Sequence, residues 1–135
     1  MGSLFKKSLI VAATTVAVDF AFHYFLTRPM ETLTYFVIKF LLAFFVAAAL
    51  FDSYSFVKNP AVKKYVLAGL IFSTLMSAYY RAWELFEIFA PWGSRAPDIY
   101  GISRDNLLFF SGAWWLAHTS FFVLGVILAR RWIKN

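Results

Sequence analysis

Ionisable side chains stand inside otherwise apolar stretches of this chain, and their types suit metal binding, proton transfer or mutual neutralisation. Ser77, Arg81, Glu84 and Glu87 follow one another by four, three and three residues, which puts them on one stripe of a single helix. Asp19 and His23 are four apart, and Thr15 four residues earlier extends the same face. Lys39 and His118 each stand in a further apolar run, His118 on a stripe with Ser111, Trp115, Phe122 and Gly125. Charges within a membrane span are functional suspects by default, and a stripe that carries them must face protein or water rather than lipid.

Counted inward from the outer helix ends at about 1.5 Å per residue, Glu87 lies roughly 4 Å deep, His23 roughly 7 and Glu84 roughly 9. Lys39, Asp19 and Arg81 fall at roughly 12 to 14 Å and His118 at roughly 17. All seven therefore belong to the outer half or the midplane. Carboxylates and imidazoles suit zinc, copper or iron, so Asp19, His23, Glu84 and His118 are the candidate ligands for a divalent metal. Lys39 and Arg81 would repel such a cation unless Glu84 and Glu87 hold them. A bis-histidine haem needs two histidines at matched depth, which His23 and His118 are not, so haem is not expected. A transported proton or ion needs a path through both halves, and the inner half offers only the thin line of Ser73, Thr74 and Ser77. A membrane enzyme would pair a Glu or His acid–base group with Arg81 on an anionic lipid headgroup. The remaining reading is structural: Asp19, Lys39, Arg81 and Glu84 sum to zero charge and fix helix rotation as ion pairs.

The elements that must hold these residues follow from composition. The 135 residues are 61% hydrophobic, 21% aromatic and only 15% charged, with a mean hydropathy of +0.68, far from the balance of a soluble domain. Four runs approach the roughly 20 apolar residues that one bilayer crossing needs. The spacing predicts spans over about 8–27, 32–51, 64–90 and 107–129. Absence of cysteine removes disulfides, thiolate metal sites and thiol redox chemistry. The first run follows Lys6-Lys7 but exceeds a signal peptide's apolar region and carries Asp19, so it is expected to be retained.

The net charge of +6 is distributed as a membrane protein distributes it, and no nucleic-acid partner is expected. Lys6, Lys7, Lys58, Lys63, Lys64, Arg130, Arg131 and Lys134 fall on one side, opposed there only by Asp52. The other side holds Arg28, Arg95 and Arg104 against Glu31, Glu87, Asp98 and Asp105. The positive-inside rule then puts both termini in the cytoplasm, with the basic side against anionic headgroups.

Local signals refine the chain. Arg28-Pro29-Met30-Glu31 makes a tight turn between the first two helices. Ala47-Ala48-Ala49 permits close helix approach. Asp52–Asn59 reads as an inner loop, with Asn59-Pro60 as the cap and first position of the third helix. The 91–106 connection carries turn residues, and its Trp92 and Tyr100 belong at headgroup level, laying the loop across the outer mouth. Asp105 or Asn106 caps the last helix. Gly69, Gly112 and Gly125 form no Gly-x3-Gly seam.

The expectation is an all-α integral membrane protein of one domain, a four-helix up-down transmembrane bundle, multi-pass in the cell membrane with N- and C-termini cytoplasmic. The expected function is that of a small structural or accessory subunit of a larger membrane complex, not an enzyme on its own. The alternative is a transporter or membrane enzyme using the outer cluster as a metal, proton or lipid-headgroup site. The bilayer, bound lipid, membrane-protein partners or further copies of the chain are its expected contacts.

Overall fold

A computed structural model describes residues 2–27, 33–89 and 107–133, and their side chains over 2–25, 33–79 and 112–133. Among the described residues the chain is helical, without strands. Helix α1 spans Ser3–Phe22 and runs on into a π-helical turn, His23–Thr27. Then come α2 (Leu33–Asp52), the short α3 (Tyr54–Lys58), α4 (Val62–Phe89) and α5 (Leu107–Trp132). Helices α1, α2 and α5 contain segments long and apolar enough to cross a membrane: Ser3–Phe25, Leu33–Asp52 and Gly112–Trp132. The 28–31 turn, the 91–106 connection with Trp92 and Tyr100, and the Asp105 or Asn106 cap lie outside the described residues.

Helix α1 packs on α2 and on α5, and α4 packs on α5 and on α2. Side chains of all four long helices meet in one core, which includes Val11 and Ala12 of α1, Ala43 and Ala47 of α2, Phe72 and Met76 of α4, and Phe122 and Val126 of α5. Where helices associate within a bilayer, apolar contact with a neighbour gains little over contact with acyl chains, and close fit decides the association. Two glycines supply that fit. A Cβ on Gly125 would lie 3.0 Å from both the Cα and the carbonyl oxygen of Val11, and one on Gly69 would lie 3.1 Å from the Thr119 carbonyl oxygen. The absence of a Gly-x3-Gly spacing thus conceals two separate close crossings, α1 on α5 and α4 on α5. The alanine run works differently from expectation as well: only Ala47 of the three is buried, and its companion is Ala43, one turn earlier on the inward face.

The 52–59 segment is not a plain loop. Tyr54–Lys58 forms a helical turn because Phe56 buries itself between Phe51 and Tyr65, with ring centroids 5.7 and 5.4 Å apart. Asn59 consequently ends α3, its N–H donating to the Ser55 carbonyl at 3.2 Å, instead of capping the next helix. Helix α4 begins two residues after Pro60, whose carbonyl accepts from the Tyr65 hydroxyl at 3.0 Å.

Candidate functional site

Asp19 and His23 project from the C-terminal end of α1, one turn apart. Tyr35 and Lys39, also one turn apart, project from the N-terminal part of α2, and His118 comes from α5. The five side chains converge, and each is buried: Asp19 and Lys39 are fully enclosed, and His118 is 2% exposed. An unpaired lysine at the centre of a bilayer-crossing helix costs about 2.5–3.5 kcal/mol. Lys39 is not unpaired.

Lys39 Nζ donates to Asp19 Oδ2 in a buried ion pair. It donates also to the Tyr35 hydroxyl oxygen at 2.6 Å, and it lies 2.6 Å from His118 Nε2. The histidine tautomer follows from its other nitrogen. His118 Nδ1 is 2.8 Å from the Trp114 carbonyl oxygen, which can only accept, so Nδ1 carries the hydrogen. In the neutral ring Nε2 is then an acceptor, as a neighbouring ammonium requires. A lysine ammonium has three N–H groups and no acceptor, and here each has its own partner: a carboxylate, a phenol and an imidazole. Tyr35 OH is also 3.2 Å from His118 Nε2. On the far side of the carboxylate, Asp19 Oδ1 is 3.3 Å from His118 Nε2 and 3.6 Å from His23 Nε2.

Aromatic walls hold this arrangement. Trp114 lies against the His118 ring with centroids 3.8 Å apart, and Phe121 flanks it at 5.5 Å. His23 meets Tyr35 and Phe36 edge-on, at 6.0 and 6.3 Å. The π-helical turn begins at His23, the last residue in step with Asp19 on the α1 face. Such widened turns are rare, and those that occur are frequently at functional sites.

Four of the expected cluster residues are thus brought together: Asp19, His23, Lys39 and His118. The side chains of Arg81, Glu84 and Glu87 lie outside the described residues. So does that of Ser111. Tyr35 was missed by the sequence reasoning, although it stands one helical turn before Lys39. Trp114, one turn before His118, is the tryptophan against its ring; Trp115, on the stripe named from the sequence, is 37% exposed. Thr15 is buried like Asp19 and His23 on α1, and its hydroxyl donates to the Val11 carbonyl at 2.7 Å. The polar line along α4 divides. Ser73 is buried and bonded to Thr119 of α5 at 2.8 Å, while exposed Thr74 returns to the Leu70 carbonyl.

Among the described residues no group of three or more His, Asp or Glu side chains is arranged to hold a metal ion. Lys39 Nζ, itself a cation, lies against both Asp19 and His118, and the fourth candidate ligand, Glu84, has its side chain outside the described residues. Compared with protein-family models, curated proteins and solved structures, the chain matches none.

Proposed function

We propose that this chain is a small structural, accessory subunit of a larger integral membrane complex. It is an up-down bundle of four transmembrane helices with both termini cytoplasmic, in which the Asp19–Lys39–Tyr35–His118 contact locks helix rotation and does no chemistry. The observation that carries this conclusion is the complete use of the Lys39 ammonium. Its three donors are taken by groups from three helices, so none is left to receive a substrate, and the pair is neutral as it stands. A catalytic or transporting lysine needs a donor or a proton that can leave; a locking lysine needs the opposite.

Support for α4 as the fourth span comes from its 28 residues, about 42 Å of helix against a hydrocarbon core of about 30 Å. Support for the orientation comes from the sequence, in which eight basic residues stand before the first span, between the second and third, and after the fourth, opposed there only by Asp52. Apolar side chains that stand outward, such as Phe45 and Leu116 at 64% and 65% exposed, suit lipid or neighbouring membrane helices.

The test replaces the pair together in the full chain, Asp19→Leu with Lys39→Met. A buried pair exchanged for apolar residues of similar volume is often neutral or stabilising, so this variant is expected to fold, to co-purify with its partners in native ratio, and to leave the complex active. A folded and assembled double variant in a dead complex would show that the groups themselves perform chemistry, and the structural assignment would fall. It would fall equally if the native chain, extracted with its surrounding lipid, carried no stoichiometric protein partner.

A further inference from the structure

At the opposite end from the buried lock, the start of α1, the end of α5 and the α2–α3 corner enclose a pocket of about 260 Å³. Its walls have two chemistries. Lys7 and Arg130 line it together, and their charges repel. Leu4, Phe51, Phe56 and Val57 supply apolar surface. None of the described lining residues is acidic. Phe51 and Phe56 are buried and fix the floor, whereas Leu4 and Val57 are 40% and 61% exposed, so the apolar wall continues outward onto the surface.

Two like charges held at one pocket raise each other's free energy, and an anion between them reverses the sign of that interaction. Aromatic rings steady both cations from the side, Lys7 Nζ lying 5.8 Å from the Phe51 ring centre and the Arg130 guanidinium carbon 5.3 Å from that of Tyr65. The guanidinium presents paired N–H donors that match phosphate oxygens, and the ammonium acts beside it as a point charge. A free phosphate would pair with the cations but gain nothing from Leu4 and Val57. A phosphate that carries an acyl chain uses both walls.

We infer that this pocket binds the phosphate of an anionic glycerophospholipid, with Lys7 and Arg130 on its oxygens and its acyl chain leaving along Leu4 and Val57. The inference rests on the membrane placement proposed above but not on the role of the buried lock, whose test reads complex activity and not lipid. It goes beyond general attraction of a basic surface to a charged leaflet, because it assigns one lipid to two named cations among eight.

The experiment is native mass spectrometry of the full chain in detergent, titrated with phosphatidylglycerol or with phosphatidylcholine. One phosphatidylglycerol is expected to bind in preference to phosphatidylcholine. Lys7→Gln with Arg130→Gln should weaken it on the order of tenfold, since each basic residue near such a headgroup contributes about a few-fold to tenfold. Lys7→Arg with Arg130→Lys, which keeps both charges and guards against a folding defect, should retain binding. The control Lys6→Gln with Arg131→Gln removes the same charge from exposed positions outside the described lining and should leave the affinity within about twofold. Equal loss in the control would reduce the effect to diffuse electrostatics and overturn the site. Equal binding of phosphatidylcholine would overturn it too. Displacement of the lipid by dilute inorganic phosphate would assign the pocket to the free ion and refute the lipid.

Discussion

Removing the Lys39 ammonium leaves the Asp19 carboxylate enclosed without its counter-charge. Lys39→Met alone is therefore expected to lower stability by about 3–5 kcal/mol, read as a drop in thermal midpoint by circular dichroism in a lipid nanodisc. A midpoint unchanged by Lys39→Met would mean that the ammonium reaches the headgroups in solution and was never part of the lock. Tyr35→Phe removes one acceptor and keeps the ring, so a smaller loss is expected, about 1–3 kcal/mol. If Tyr35→Phe costs as much as Lys39→Met in the same assay, the phenol and not the carboxylate is the principal partner of the lysine. Legibility at this scale was uneven for a physical reason. Asp19, His23, Lys39 and His118 were conspicuous because ionisable groups are rare in apolar runs. Tyr35 and Trp114 were not, because aromatic residues abound in this chain and only the backbone turn they share with Lys39 and His118 distinguishes them.

At the scale of elements, the helices themselves could be read from apolar run length, and their crossings could not. A glycine in an apolar helix is unremarkable until the neighbouring backbone is placed against it. Gly125→Ala is expected to wedge α5 away from α1, since its Cβ would meet backbone atoms of Val11 at 3.0 Å, with a loss of about 1–3 kcal/mol. Gly112→Ala is the control: nothing lies within 4 Å of its added Cβ, and in a helix interior alanine is preferred over glycine by up to about 1 kcal/mol. Equal losses in the two variants, measured by thermal unfolding, would remove the close crossing as the explanation. The short helix α3 went unrecognised for a related reason. Five residues have almost no helical tendency of their own, and Tyr54–Lys58 is held by the packing of Phe56 on Phe51 and Tyr65.

For the molecule as a whole, three helices among the described residues have the length and apolarity to cross a bilayer, and the asymmetry of charge was plain in the sequence. The order in which helices touch was not, because α2 and α4 meet through side chains far apart in the chain. The proposed orientation gives a direct expectation. The chain has no cysteine, so Ser94→Cys introduces a single thiol, which an impermeant maleimide should label from outside intact cells. Labelling only after permeabilisation would invert the orientation. The Lys39 contacts also bear on how the chain is made. Asp19 and Tyr35 precede Lys39 by 20 and 4 residues, whereas His118 follows by 79. Two of the three acceptors therefore leave the ribosome before the lysine does, and on the proposed topology α1 and α2 would enter the membrane together with their charges already cancelled. Nascent chains that end after α3 should insert both helices efficiently, and Asp19→Asn should lower that efficiency by stranding the lysine. Insertion indifferent to Asp19→Asn would mean that the pair forms only after synthesis is complete.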